Sequence, residues 1–396
     1  MSAQEVETIT TTEELAAFCA QAKEQPYVTL DTEFLRERTY YSKLCLIQAA
    51  LPPAGTGKNS AGRAVLIDPL VGDISLEPLY DLFRHRETVK VFHAARQDLE
   101  IFFHDAGVLP DPLFDTQIAA MVCGFGEQVG YETLVKKIAR HQLDKSSRFT
   151  DWSRRPLSDD QATYALADVT YLRNIYEFLA AQLVKTGRSA WVEEEVGVLL
   201  NAETYINRPE EAWERVRTRS GSPKFLSVVR ELARFREAYA QERDVPRSRV
   251  FKDDALIELA STRPQSEADL GKSRLLLREA RKGEIANGIL AAVKAGIRSK
   301  DMPKATQEEP GRPGNAALAD LLRVLLKAKS DAADVAPKLI ASASDLDAIA
   351  SGGRDLAALA GWRAEVFGND ALRLARGEIA LSAEGGQVQI VAVPGK

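Results

Sequence analysis

Acidic residues occur at three places in the chain where their spacing suits metal binding. Asp31 and Glu33 close an apolar run that is typical of a strand, and residues two apart on a strand point to the same face. Asp98 lies in the first turn of a predicted helix, where the helix dipole favours an acidic residue with or without a function. Each feature alone is a weak indication of a metal site, since most such acids are solvated or cap a turn.

The third place is Tyr164 and Asp168, which are four residues apart in a predicted helix and therefore share one face. An amphipathic helix with a surface Asp would look the same. The ordered set is more specific, because four carboxylates on a sheet surface suit two divalent ions, which prefer oxygen ligands. Two ions about 3.5–4 Å apart can activate water and stabilise the leaving oxygen of a phosphodiester. A tyrosine hydroxyl nearby can orient that water.

Strand and helix patterns alternate over the first 200 residues and would position these side chains. The predicted strands span 27–31, 44–50, 64–68, 89–93 and 113–115. The predicted helices between them span 13–23, 76–83, 98–106 and 116–123. Three hairpin-like strands followed by strand–helix units indicate an α/β domain with a mixed sheet flanked by helices.

Strand signals stop at Asp159, and the rest of the chain has the apolar spacing of helices, interrupted by a linker rich in Pro and Gly. The all-helical part contains two segments of similar length, which suggests two small all-α domains. The predicted divisions are a first domain at 1–205, a second at 206–297, a linker at 298–315 and a third domain at 316–390.

Composition excludes several classes of protein. The 396 residues are 45% apolar and 28% charged, which is typical of a globular protein. Three scattered cysteines, Cys19, Cys45 and Cys123, argue against a disulfide framework and a cysteine zinc site. We find neither a signal peptide nor an apolar run of about 18 residues, so we expect a cytosolic protein. The run from Gly55 to Lys58 resembles a phosphate-binding loop, but Pro52 stands where that motif needs glycine.

Charge is unevenly distributed along the chain. The net charge is −9 over residues 1–200, +6 over 201–300 and −2 over 301–396, which sums to −5. A nuclease with a separate basic module for nucleic acid would show this pattern. A solvated helical surface would show it as well, and charge alone favours that simpler interpretation.

Three motifs together resemble the exonuclease domain of the DEDD superfamily, in its tyrosine-containing branch, which has a ribonuclease H-like fold. The motifs are Asp31-Thr-Glu33, His93-Ala-Ala-Arg-Gln-Asp98 and Tyr164-Ala-Leu-Ala-Asp168. The flanking runs 114–120 and 151–157 are similar to the ribonuclease D family in particular. The resemblance implies hydrolysis of RNA from its 3′ end with release of nucleoside 5′-monophosphates, and tRNA precursors as substrates.

The same resemblance implies roles for individual residues. The implied ligands of two divalent ions, Mg²⁺ or Mn²⁺, are Asp31, Glu33, Asp98 and Asp168. Tyr164 would position the attacking water, and Thr32 would touch the terminal nucleotide through its backbone. Asp115 has no implied metal role and is expected to brace the helix that it starts.

The basic segment from Asn207 to Gly288 resembles an HRDC domain, a small helical module that binds nucleic acid. Residues 316–385 resemble a second, more divergent copy, whose charge is close to neutral. This second copy either binds RNA or braces the arrangement of the domains.

Two other functions remain open at this point. A DNA exonuclease can use the same metal centre, although a helicase-linked one is disfavoured because the chain has no complete phosphate-binding loop. A non-catalytic RNA-binding protein could also be built on a nuclease scaffold. The four carboxylates and Tyr164 argue against that second alternative.

Overall fold

The computed structural model describes residues 6–53, 62–144, 150–218, 221–301, 303 and 315–394. The glycine-rich run 55–58 and most of the predicted linker lie outside these residues. Within the described ranges, no helix has the length and apolar character that crossing a membrane would require.

A mixed sheet forms the centre of the first domain, as predicted, and it has six strands where five were predicted. Its strands are β1 (Thr8–Ile9), β2 (Tyr27–Leu35), β3 (Lys43–Ala50), β4 (Ala64–Ile67), β5 (Val89–Phe92) and β6 (Leu113–Asp115). The strand order is β1-β4-β3-β2-β5-β6. Strands β2, β3 and β4 are antiparallel neighbours, whereas β1, β5 and β6 join them by parallel pairing. The two-residue strand β1 was not predicted, because so short a segment has no periodicity.

Helices cover both faces of this sheet. They are α1 (Thr12–Lys23), α2 (Glu77–Arg84), α3 (Arg96–Ala106), α4 (Thr116–Val122), α5 (Tyr131–Leu134), α6 (Asp159–Thr186) and α7 (Ser189–Leu199). Local sequence sets several starts: Thr11 with Glu14 and Ser158 with Gln161 form reciprocal capping boxes that satisfy the first N–H groups of α1 and α6.

The two faces of the sheet have different roles. Leu30 and Ile47 belong to the main apolar core, which also contains side chains from α1, α2 and α3. The alternate positions face α6, and there the Thr29 hydroxyl donates to the backbone carbonyl of Val169 at 2.8 Å. Asp31 is on this second face, because it is two residues from Thr29 on the same strand. The sheet therefore supplies a hydrophobic core on one side and a site under α6 on the other.

The middle region, residues 207–301, is helical as predicted. A short 3₁₀ segment (Pro209–Arg215) precedes α8 (Pro223–Glu242), α9 (Arg247–Val250), α10 (Asp253–Thr262), α11 (Glu267–Leu270) and α12 (Gly283–Arg298). Pro223 is the first residue of α8 and Pro246 precedes α9, so each proline stands at the start of a helix. Val228, Leu232 and Leu256 contribute to a separate apolar core.

The last region begins with helices and ends in a β-hairpin. Its elements are α13 (Ala316–Ala333), α14 (Pro337–Ile340), α15 (Ala343–Ala350), α16 (Gly361–Arg363), α17 (Asn369–Ala375), β7 (Ile379–Glu384) and β8 (Gln387–Ala392). The sequence predicted an all-helical region here, so the β-hairpin at its end differs from that prediction. Its turn is Gly385-Gly386, with φ of +59° and +80°, a pair that favours a tight hairpin.

Candidate active site

Strand β2 carries the first two predicted ligands. Asp31 and Glu33 are half-buried and lie on the same face of the strand. Asp31 is opposite Gln48 of β3 and Glu33 is opposite Leu46, and the pairing shifts immediately after Glu33. Because a bulge bends a strand and redirects its side chains, the shift marks the point where β2 leaves the regular ladder beside the site.

Asp98 is held by a loop that Asp115 organises. The Asp115 carboxylate accepts hydrogen bonds from the backbone N–H groups of Ala94 (3.1 Å) and Ala95 (2.9 Å), and it also caps α4. Ala94 has φ of +59°, a strained value for alanine that this network maintains. The expectation that Asp115 braces the helix that it starts is confirmed, and its bonds additionally fix the start of α3. Asp98, in the first turn of α3, is buried.

Thr32 has a role that the sequence did not suggest. Its hydroxyl donates a hydrogen bond to the carboxylate of Asp98, so it orients that group from the neighbouring strand. The predicted contact between the Thr32 backbone and a nucleotide stays a prediction.

Helix α6 brings the remaining predicted residues to the same place. Tyr164 and Asp168 lie one turn apart on this helix and both are half-buried. The Tyr164 ring centroid is 6.1 Å from that of Trp152, a buried residue that helps to fix the phenol. Together with Asp31, Tyr164 and Asp168 line one cleft with a volume of about 270 Å³.

The carboxylates interact strongly. Burial raises the pKa of Asp31 well above its ordinary value, and repulsion from Asp168 raises it further. Burial and then repulsion from Asp31 likewise raise the pKa of Asp98. The pKa of the neighbouring Tyr131 phenol is raised by burial and by the negative charges of Asp168 and Asp31. Asp31, Asp98 and Asp168 therefore interact as one electrostatically coupled site, and a cation bound among them would favour their ionised forms.

The same cleft contains residues that the sequence analysis did not select. His93 and Tyr131 both line it, with ring centroids 5.6 Å apart. The Tyr131 hydroxyl donates to the backbone carbonyl of Ala167 at 2.9 Å. His93 lies inside a motif that was recognised, whereas nothing in the local pattern around Tyr131 distinguishes it from a helix-start residue.

The donor set fits a divalent cation in its chemistry. It offers carboxylate oxygens, which Mg²⁺ and Mn²⁺ prefer, in a buried negative site that a cation would neutralise. In the described part of the chain, however, no three His, Cys, Asp or Glu side chains are arranged to enclose an ion.

Comparisons with known proteins show the family of this chain. Residues 6–184 match the 3′–5′ exonuclease domain family, and residues 225–293 match the HRDC domain. The chain is 63% identical to ribonuclease D from Jannaschia sp. (strain CCS1), over 98% of this chain and 99% of that protein. The chain belongs to the ribonuclease D family. Ribonuclease D from Nitrobacter hamburgensis is 47% identical over 96% of this chain and 98% of its own length.

The fold supports the same assignment. The crystal structure of Escherichia coli RNase D matches with a TM-score of 0.81 and 29% identity, over 94% of this chain and 99% of that one. The predicted fold class and the predicted 3′–5′ exoribonuclease, a hydrolase, are confirmed. Like other DEDD exonucleases, members of the ribonuclease D family use divalent metal ions.

Proposed function

We propose that this enzyme removes nucleotides one at a time from the 3′ end of RNA in the cytoplasm, and that 3′-extended RNAs such as tRNA precursors are its substrates. One observation supports this proposal above the others. Asp31, Asp98 and Asp168 come from three separate elements and meet in one coupled site, beside a cleft that Tyr164 lines. A cleft of about 270 Å³ suits the end of a single strand better than a duplex.

The four carboxylates are proposed to hold two ions, either Mg²⁺ or Mn²⁺. When bound, such ions polarise the scissile phosphate and lower the pKa of water. The ligands would be Asp31, Glu33, Asp98 and Asp168. Thr32 would hold Asp98 in place through its hydroxyl, and its backbone would contact the terminal nucleotide.

Tyr164 is proposed to position the attacking water. Tyr164 is one helical turn from Asp168 and lines the same cleft. The water oxygen forms a new bond to phosphorus as the bond from phosphorus to the 3′ oxygen breaks. The attacking water loses a proton, and the 3′ oxygen that leaves on the shortened RNA takes one up and becomes a hydroxyl. The released nucleotide carries the 5′ phosphate.

The middle helical region is proposed to hold the body of the RNA. Its exposed cations that form no ion pair with a described carboxylate are Lys224, Arg249, Lys252, Arg274, Arg278, Lys282, Lys294, Arg298 and Lys300. Because such side chains are free to contact phosphates, they provide the sequence-independent part of RNA affinity.

The test is digestion of a 3′-extended tRNA with Mg²⁺ or Mn²⁺, with the products resolved by length. We expect stepwise shortening and nucleoside 5′-monophosphates. The control is Asp31→Asn, which has nearly the same shape but lacks a charge needed to hold the ions, so it should be inactive while folded. Internal cuts, or a faster reaction on a DNA of matched sequence, would contradict the proposal.

A further inference from the structure

Among the described residues of the first domain, one buried side-chain amide has no hydrogen-bonding partner. Gln48 on β3 is fully buried, and neither its Nε2 nor its Oε1 atom forms a hydrogen bond within the described residues. Burying an amide in this way costs about 1–3 kcal/mol relative to pairing it. If it stayed unpaired, Gln48 would destabilise the fold at this position.

Its place in the sheet is next to the catalytic carboxylates. The register pairs Gln48 with Asp31 on one side and with Leu66 of β4 on the other. Directly opposite residues of an antiparallel pair share a face, with Cβ atoms about 4.5–5.5 Å apart. The amide thus lies beside the Asp31 side chain, on the face covered by α6.

The surroundings otherwise offer Gln48 few polar neighbours. Leu46 and Leu66 flank it on the same face, and they belong to an apolar cluster that includes Ala162 and Ala165 of α6. Thr29, the other uncharged polar residue on this face of β2, is satisfied by backbone carbonyls. The strand register places Asp31 and Leu66 next to Gln48, and Asp31 is the one whose side chain has a charged hydrogen-bond acceptor.

We propose that Gln48 is a positioning residue for Asp31. Its amide N–H group donates to the Asp31 carboxylate, directly after a small rotation or through one internal water, and holds that carboxylate in the orientation that binds a cation. A hydrogen bond to an ionised group is stronger than one between neutral groups, which offsets the cost of burying the amide. The inference rests on the proposed function, in which Asp31 is a metal ligand.

The experiment replaces the amide without changing the volume of the side chain. Gln48→Met keeps the length of the residue and removes its polar atoms. Leu66→Met is the matched control, because it makes the same apolar residue on the neighbouring strand and the same face. Each full-length protein is compared with the wild type in three measurements: thermal unfolding without metal, Mn²⁺ affinity by calorimetry, and kcat and KM on a single-stranded RNA.

We expect Gln48→Met to stay folded and to melt close to the wild-type temperature, because methionine suits the apolar neighbours at this position. Its Mn²⁺ affinity and its kcat should fall about 10- to 100-fold, the range found when groups that orient metal ligands are removed. KM for RNA should stay unchanged, and Leu66→Met should behave as the wild type in all three measurements.

Two results would overturn the inference. In the first, Gln48→Met keeps wild-type Mn²⁺ affinity and kcat. In the second, both Gln48→Met and Gln48→Leu lose the folded state, which would mean that the amide supports the fold. A different result would show that the proposed function is wrong: the wild-type protein itself would not shorten RNA. In that case the Mn²⁺ titration would still show whether Gln48 acts on Asp31.

Discussion

The two helical regions differ in how many of their Lys and Arg side chains form ion pairs. The middle region, residues 221–301, leaves nine exposed Lys and Arg side chains outside any ion pair with a described carboxylate. In the described residues 315–394, the cations that form ion pairs are Arg323, Lys327, Lys329, Lys338, Arg363, Arg373 and Arg376. The eighth, Arg354, donates to the carbonyl of Gly353 at 2.7 Å.

The paired cations of the last region also tie it to the first domain. Arg363 binds Glu195 of α7 at 2.5 Å, and the Trp362 indole N–H donates to the same carboxylate at 2.9 Å. The Trp362 ring stacks on Trp191, with centroids 4.6 Å apart and planes 13° apart. Lys338 reaches Glu127 of the first domain at 2.7 Å.

The middle region also contacts the first domain, but at a different point. Asp244 accepts hydrogen bonds from the backbone N–H groups of Tyr40 and Tyr41 at 3.0 Å, and Arg247 lies over the Tyr40 ring at 4.8 Å. These tyrosines follow β2, the strand that carries Asp31. The comparison teaches that similar helical modules can differ in charge pairing: nine exposed cations of the middle region lie outside such pairs, whereas nearly all those of the last region are paired, two of them with the first domain.

The largest effect should come from Tyr164→Phe, which tests whether Tyr164 acts in the chemical step or in RNA binding. The substitution deletes one hydroxyl and keeps the ring that packs near Trp152. Loss of a group that positions water in the transition state should lower kcat about 10²- to 10⁴-fold with KM nearly unchanged. Steady-state kinetics on a short single-stranded RNA checks this. A rise in KM at constant kcat would instead place Tyr164 in substrate binding.

Next in size is Trp362→Ala, which tests whether the last region is held by docking. Removing a buried tryptophan costs about 3–5 kcal/mol, and here it also removes a donor to Glu195. We expect a lower melting temperature for the last region, with kcat on short RNA retained. Trp362→Phe is the control, because it keeps a ring against Trp191 and should lose less stability. Equal melting of both variants and the wild type would show that the stack contributes nothing.

A smaller effect is expected when the free cations are reversed. Lys294→Glu with Arg298→Glu changes one face of α12, because the two residues are four apart. We expect about 10-fold weaker tRNA binding at 0.1 M salt. The log–log salt slope should decrease by about 0.7 for each phosphate of a single strand that the variant no longer neutralises.

The matched control for that pair is Arg323→Glu with Lys327→Glu. These residues are also exposed and four apart, on α13, but each is paired with an aspartate. The change of charge is identical, so a general electrostatic effect would weaken binding equally in both double variants. That result would contradict the difference that we expect between the unpaired cations of the middle region and the paired cations of the last region.

The smallest effect is expected from Tyr40→Phe at the other domain contact. The Tyr40 hydroxyl donates to Glu237 and accepts from Arg247 at 2.9 Å. Deleting it should cost about 0.5–1.5 kcal/mol at this contact, because buried Glu237 keeps its hydrogen bonds from Arg247. Thermal unfolding of the middle region measures the change, and a melting temperature equal to that of the wild type would mean that the hydroxyl contributes nothing to the contact.

Local sequence determined most of the elements that carry the active site. Capping pairs such as Ser158 with Gln161, prolines such as Pro223 and apolar periodicity act over a few residues, so they can be interpreted without knowing the fold. The order of the carboxylate motifs was recognisable for the same reason. Each motif is a short run on one element, and the family comparison confirms the exonuclease that those motifs predicted.

The tertiary structure alone decided how those elements meet. The hydroxyl of Thr32 on Asp98, the place of Tyr131 in the cleft and the unpaired amide of Gln48 depend on which strands are neighbours. The last region shows the same limit. Its cations count toward net charge in the sequence just as those of the middle region do, but folding brings a carboxylate to nearly all of them. Charge pairing and strand register are long-range properties, and a local pattern does not contain them.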